Sequence, residues 1–317
     1  MISIKRYNDQ NKDQWNIFNL NSKNYLFMFD RNYMDYHKDR FYDHSLMFFD
    51  DGELIALLPM NENNNILISH GGLTYGGFIT DSNMKQHKMN KCFDELVIYA
   101  KKNGFERIRY KTIPHIYHNQ PAEEDRYALF ANGGHLITVD VSTYINLSMP
   151  LKLPKGRKSQ ISRAKREGVT IMKLESNESY TEFINLENEI LELRHGTKAV
   201  HSSYELKMLH DRFPDNIHLY AAQKDKKIIA GVIVFEYDQV VHTQYMAAND
   251  ESRKIGALDL TIAMVIENYK DKKKWLDFGI STEHDRIYLN EGLVAQKEGF
   301  GGRTGVYDIW ELPIKND

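Results

Sequence analysis

Cysteine is almost missing from this chain. Cys92 stands alone among 317 residues, so neither an internal disulfide nor a cysteine-based metal cluster can be built, and no metal is expected. Long apolar runs are missing as well. No stretch approaches the roughly 18 consecutive apolar residues of a membrane span. The opening segment, residues 1–14, is polar and mixed in charge, without the apolar centre of a signal sequence, which leads us to expect a cytoplasmic protein. Nor is there an excess of either charge: 41 Lys and Arg face 44 Asp and Glu, and the net charge of −3 offers no overall attraction to nucleic acid or anionic lipid. Any such contact must be local, and DNA is not an expected partner.

What is present is an ordinary globular composition, 42% hydrophobic and 27% charged, long enough for about two domains with their own cores. The chain is rich in rings, with 19 Tyr, 15 Phe and 13 His, residues that fill cores and also line sugar and nucleotide sites. One short word occurs twice, as Asp39-Arg40-Phe41-Tyr42-Asp43 and as Asp211-Arg212-Phe213-Pro214-Asp215. After each copy come two apolar runs split by a polar turn, then an amphipathic helix, then another strand. The runs are 46–49 and 54–60 in the first half, 217–222 and 228–235 in the second. The helices are 89–103 and 257–269, and the closing strands 107–111 and 275–279. This is the signature of a duplicated α/β domain, with helices on the faces of a mixed sheet. The two copies are expected to face each other across a cleft.

Pro150 and Pro154 bracket a loop that stops helix or strand, which sets the expected division at residues 1–150 and 151–317. Ahead of the first copy's hairpin, helical segments are expected at 15–18 and 34–41, and residues 135–141 form the last strand of that half. A basic helix over 157–167 opens the second half and ends at Gly168. Lys152, Lys155, Arg157, Lys158, Arg163, Lys165 and Arg166 gather there, enough positive charge to neutralise a diphosphate or an RNA backbone, though a charge run also serves as a solvated face. Arg157 and Lys158, at the helix start, are the preferred substrate contacts.

Three further segments carry candidate chemistry. Strand 277–280 emerges into Ser281-Thr282-Glu283-His284, a polar loop at a strand end in a glycine-rich stretch, where sites on open sheets tend to lie. Residues 242–250 lead into Arg253-Lys254-Ile255-Gly256-Ala257, a turn that opens a helix and offers free N–H groups to an anion; Asn249 stands just before it. In the first half, Tyr36 and His37 and the glycine-flanked Ser69, His70 and Tyr75 suit the wall of an acceptor site. Arg40 and Arg212, present in both copies of the repeated word, read as internal ion pairs.

The order of elements in the second half, with its strand, Arg-x-x-Gly turn and helix, resembles the acyl-CoA-binding part of the GNAT acyltransferase superfamily. The duplication, the basic segment and residues 277–283 resemble its FemABX branch and the related BioF-like acetyltransferases. The likeness covers nearly the whole chain. It implies an α/β (α+β) fold of two tandem GNAT-like domains, each a mixed, splayed sheet flanked by helices, with acceptor in the first and donor and catalysis in the second. It implies transfer of an acyl group from acyl-CoA, with acetyl-CoA the expected donor, to an amine of an envelope or polysaccharide precursor such as a nucleotide-linked amino sugar. Arg253, Gly256, Ala257 and Asn249 would hold the CoA pyrophosphate, although Leu258 replaces the small residue usual at the motif's end. Glu283 or His284 would act as base and Tyr245 as acid, with His242 orienting or serving as an alternative base. Two other readings compete: transfer from aminoacyl-tRNA to a peptidoglycan-like precursor, and a double GNAT-like fold that binds without catalysing.

Overall fold

The computed structural model describes residues 1–315, apart from the side chains of His195, His284 and Asp285. The chain divides into two compact units. One comprises Met1–Asp140 and the segment from Val306 onward, the other Val141–Gly305.

The first unit runs β1 (Ile2–Arg6), α1 (Lys12–Leu20), α2 (Arg31–Met34), β2 (Tyr42–Asp43), β3 (Leu46–Asp50), β4 (Glu53–Leu58), β5 (Asn61–Asn63), β6 (Ile66–Ile68), β7 (Ile79–Thr80), α3 (Gln86–Lys102), β8 (Arg107–Lys111), α4 (Glu124–Ala131) and the start of β9 (His135–Asn146). The expected hairpin is β3–β4, turned by Asp51 and Gly52, both at positive φ. The buried face of α3, Met89, Cys92, Phe93, Leu96 and Ala100, meets Phe48, Leu58, Leu67 and Ile108 in one core. The first copy of the repeated word is not helical throughout, because α2 ends at Met34 and a single 3-10 turn at 35–37 leads into β2. The second copy closes a longer helix instead. In the first copy the last residue, Asp43, accepts from the buried Arg31 guanidinium at 3.2 Å; in the second copy the first residue, Asp211, pairs with Lys207 on its own helix.

The second unit runs α5 (Lys155–Arg166), β10 (Thr170–Leu174), α6 (Asn177–His195), α7 (Ser203–Arg212), β11 (Ile217–Lys224), β12 (Lys227–Glu236), β13 (Val240–Ala248), α8 (Asp250–Ile255), α9 (Ala257–Tyr269), β14 (Trp275–Ile280), β15 (Thr282–Glu283), α10 (His284–Ile287), β16 (Tyr288–Leu289), α11 (Glu291–Glu298) and the start of β17 (Arg303–Pro313). Its caps are written in the sequence. Ser202 and Glu205 form a reciprocal capping box on α7, Ser176 caps α6, and Gly196 ends α6 in the left-handed region. Strands β10 to β13 pair antiparallel in order, β13 pairs with β14 in parallel, and the 142–146 part of β9 closes the edge against β14. Val232, Val241, Ala248, Leu260, Val265 and Leu276 share the core between this sheet and α9.

Each unit therefore contains the same mixed-sheet device. A parallel pair is joined by a helix, β6–β8 by way of α3 and β13–β14 by way of α9. In the first unit the segment 309–313 of β17 completes the sheet beside β8.

Candidate active site

Strands β13 and β14 stay paired for only three residues: Val240 with Trp275, Val241 with Leu276 and His242 with Asp277. Two bulges accompany the parting. On β13 the register against β12 slips at Gln244, since Ile233 faces Tyr245 while Val234 faces Thr243. On β14 an extra residue falls between Asp277, opposite Tyr144, and Ile280, opposite Ser142. Bulges re-aim backbone and side chains, and a strand edge leaving its partner presents unpaired N–H groups. The wedge between β13 and β14 is thus a place where backbone donors can meet a developing oxyanion.

A buried polar network lies where the strands part. The Asp277 carboxylate, fully buried, accepts from Ser142 Oγ at 2.8 Å and from the Gly279 N–H at 2.8 Å through Oδ1, while Oδ2 meets His242 Nδ1 at 3.1 Å. Gly279 has φ +70°, and a β-carbon on it would stand 3.1 Å from the His242 ring, so glycine lets the strand pass over the imidazole. His242 belongs to this network through its Nδ1 contact with Asp277.

Lys297 is absent from the residues that the sequence pattern singles out. Its side chain is 2% exposed, and its ammonium donates at 2.8 Å to each of Gly279 O, Ile280 O and Ser281 Oγ. Burial pushes its pKa down to about 8, against the opposing pull of Asp277. The sequence held a signal for it, because Lys297 follows Leu293 and Val294 at helical spacing and so falls on the inward face of α11.

Across the wedge, Tyr245 is held by the 201 loop. Its hydroxyl pairs with His201 Nδ1 at 2.7 Å and accepts from the His201 N–H at 3.3 Å, and burial raises the phenol pKa to about 12. A phenol so high remains protonated, as a proton donor must. Glu283 accepts from Asn290 Nδ2 at 2.7 Å on the short β15–β16 ribbon. The His284 side chain lies outside the described residues. Ser281, from the same loop, is buried and fixed by its N–H to Val141 O at 2.7 Å.

The expected pyrophosphate turn has a different setting from the one its motif implies. Asn249 caps α8 by accepting from the Ser252 N–H at 2.8 Å, and Arg253 Nε donates to Ala248 O at 2.8 Å. Gly256, φ +78°, joins α8 directly to α9, and α5 lies against that junction. A β-carbon on Gly256 would be 2.5 Å from Gln160 O. Ala257 is buried. Arg157, expected at substrate, is committed inside the unit: it pairs with Asp259 in the first turn of α9, donates to Gln296 O at 3.0 Å and lies over the Phe300 ring at 4.1 Å. Lys158 is exposed, as are Lys152, Lys155, Arg163, Lys165 and Arg166, and none of these six forms an ion pair among the described residues.

In the first unit the structure brings Tyr36, His37 and His70 together. His37 stacks on Tyr36 at 4.3 Å and on His70 at 5.3 Å, and its Nδ1 donates to Met34 O at 2.7 Å. Burial lowers the pKa of both imidazoles. Arg40 lies over the Tyr36 ring at 5.4 Å. Ser69 and Tyr75 have separate partners. Ser69 Oγ accepts from the Lys111 N–H at 2.6 Å, and the Tyr75 hydroxyl meets those of Tyr117 at 2.5 Å and Tyr307 at 2.8 Å.

Comparison with known proteins agrees with this geometry. A family model described as an acetyltransferase (GNAT) domain matches residues 155–286. The chain superposes on the crystal structure of FemX with a TM-score of 0.67 at 13% identity, covering 96% of each chain. The C-terminal domain of a putative lysylphosphatidylglycerol synthetase from Agrobacterium fabrum gives 0.59 at 13% identity, over 85% of this chain and 83% of that one. A tandem GNAT protein from the clavulanic acid biosynthesis pathway gives 0.55 at 10% identity, over 100% of both chains. No curated protein matches the sequence. The family match makes residues 155–286, which hold the splayed strands, a GNAT-type acyltransferase domain. Over the whole chain the likenesses to solved structures show the fold, two tandem GNAT-like domains, as its sequence led us to expect.

Proposed function

We propose that this acyltransferase takes an aminoacyl group from the ester of a charged tRNA and transfers it to an amine of a cell-envelope precursor. The observation that carries the donor assignment is the closure of the α9 N-terminus by α5, through the approach of Gly256 to Gln160 and the Arg157–Asp259 pair. A CoA pyrophosphate draws on free N–H groups and the positive end of a helix dipole. Here a carboxylate and a neighbouring helix already take that position. The exposed cations of α5 and the loop before it offer instead a surface suited to an RNA backbone. The likeness in fold to FemX and to a lysylphosphatidylglycerol synthetase supports the same class.

In this reading the wedge between β13 and β14 receives the reacting carbonyl. Backbone N–H groups near the Gln244 bulge stabilise its oxyanion, and the Lys297 charge adds to the positive potential at the β14 side. The Asp277 network fixes His242 and the curve of β14. Tyr245 supplies a proton to the leaving hydroxyl. The acceptor side is assigned to the first unit, with Tyr36, His37 and His70 as a ring-lined wall and Ser69 and Tyr75 behind it.

The GNAT domain match favours one other reading, transfer from acetyl-CoA to an amino sugar. Two measurements separate them. Labelled amino acid should pass from a charged tRNA pool to a lysine-bearing peptidoglycan precursor, and CoA thioesters should leave thermal stability unchanged. A thioester at about 100 times its dissociation constant would add about 2.7 kcal/mol. Such a shift, with no transfer from tRNA, would overturn the tRNA reading in favour of CoA.

A further inference from the structure

Glu187 interrupts the apolar face of α6. Phe183 and Ile184 precede it by four and three positions, Ile190 and Leu191 follow at the same spacing, and all face inward with it to varying degrees. A leucine would continue the stripe. The residue is 7% exposed, and among the described residues its carboxyl has no hydrogen-bond or ion-pair partner. Burying an unpaired carboxylate costs several kcal/mol, so this side chain does nothing for the core that an apolar one would not do better.

Its surroundings connect it with the wedge. Helix α6 packs on β12, β13 and α7. Val241, Met246 and Ala248 of β13 enter the α9 core, so Tyr245 and Ala247 turn to the opposite face, toward α6. From β13, Tyr245 feels the Glu187 charge; from α8, Arg253 does so too and is the one cation that opposes the effect of burial on Glu187. His201 holds the Tyr245 hydroxyl, and Arg194, near Arg253, pairs with Asp250 at 2.9 Å. From α7, His210 is turned to Ile217 O at 2.7 Å, and the part of β12 beneath α6 is apolar. Burial lifts the Glu187 pKa to about 7, so near neutrality the group both accepts and releases a proton.

We propose that Glu187 is the proton acceptor for the amine nucleophile at the β13–β14 wedge, an assignment that rests on the acyl-transfer reading above. The arriving ammonium gives one proton to the Glu187 carboxylate. The free amine forms the C–N bond, the C–O bond of the ester breaks, Tyr245 gives its proton to the leaving oxygen, and the second amine proton replaces it on Tyr245. Glu187 then returns its proton to water.

Two readouts test this. In full-length protein labelled with carboxyl-13C glutamate, one resonance should titrate near pH 7 and be missing from E187Q. In transfer from a charged tRNA pool to a lysine-bearing precursor, E187Q should lower kcat about 10²- to 10⁴-fold with little change in KM and erase the acidic limb of the rate profile near pH 7. E187D should recover part of the rate with a displaced limb. Hydroxylamine, neutral at pH 7, should serve E187Q nearly as well as wild type. An acidic limb that survives in E187Q, or the absence of a resonance near pH 7, overturns the assignment of Glu187 alone. Wild-type protein that transfers from charged tRNA to neither acceptor overturns the tRNA reading and the assignment with it.

Discussion

Gly256 lies against the backbone of Gln160, so closely that a β-carbon would be 2.5 Å from the Gln160 carbonyl oxygen, and its φ of +78° is one that L residues avoid. Gly256→Ala should lower stability by about 2–4 kcal/mol, the sum of left-handed strain and overpacking. Urea denaturation measures it. Wild-type stability in that variant would mean that α5 does not close the α9 N-terminus.

The α5 cations should matter for binding and not for folding. Replacing Lys155, Lys158, Arg163 and Lys165 together with Gln should leave the melting temperature nearly unchanged, since all four are exposed and form no ion pair among the described residues. Affinity for tRNA should fall, and the slope of log affinity against log salt should flatten by about 0.7–0.9 for each phosphate no longer neutralised. An unaltered slope would place the RNA elsewhere.

Asp277→Ala should be among the most damaging single changes in the second unit. It leaves the Ser142 hydroxyl, the Gly279 N–H and the His242 imidazole without their buried acceptor. A loss of roughly 3–5 kcal/mol is expected, read by denaturation. Ser142→Ala, which removes one donor and leaves the other two satisfied, should cost far less.

Glu187 should also govern how stability changes with pH. Its pKa is raised from the ordinary 4.5 to about 7, so between those values the native state holds a proton that the unfolded chain has released. Its contribution is therefore greatest below pH 4.5 and is lost as pH rises to about 7, a swing of up to about 3 kcal/mol. E187Q should lack this decline and be the more stable protein at about pH 8. Parallel stability curves for the two proteins would contradict the buried, unpaired setting.

Lys297 has the opposite sign. Its pKa is lowered from 10.5 to about 8, so the unfolded chain binds the extra proton between those values and stability should rise across that range. Lys297→Met should remove the rise. It should also reduce transfer by about 10²–10³-fold if the charge assists the oxyanion.

Much of this fold could be read directly from the sequence. The hairpins β3–β4 and β11–β12, the helices α3 and α9 and the strands after them follow from periodicity and turn residues, because each is decided within a short window. The repeated word is a sound guide to duplication but not to conformation: Phe213 follows a helix of ten residues, whereas Phe41 follows a single 3-10 turn. Arg157 shows why charge alone misleads. Its partner Asp259 is distant in sequence, so the pattern could not show that this cation is spent inside the fold while its neighbour Lys158 stays exposed. Lys297 and Glu187 are legible in principle, as charged residues on apolar helix faces. On a surface helix the same spacing also admits a charge that snorkels to water, and only the packed neighbours show that these two are buried. His242 is legible as a candidate, but its link to Ser142 through Asp277 depends on strands brought together only by the tertiary fold.

Strand β8 receives its neighbour from residues 309–313 of β17, so the sheet of the first unit includes a piece of chain that lies beyond the whole of the second. On the ribosome, the first unit would emerge with that edge of β8 uncovered and wait through the synthesis of everything between. Its cooperative completion is deferred until β17 arrives. Such long-range closure slows folding and leaves an open strand edge available for wrong pairing, which makes β17 a segment on which efficient production of the native protein depends.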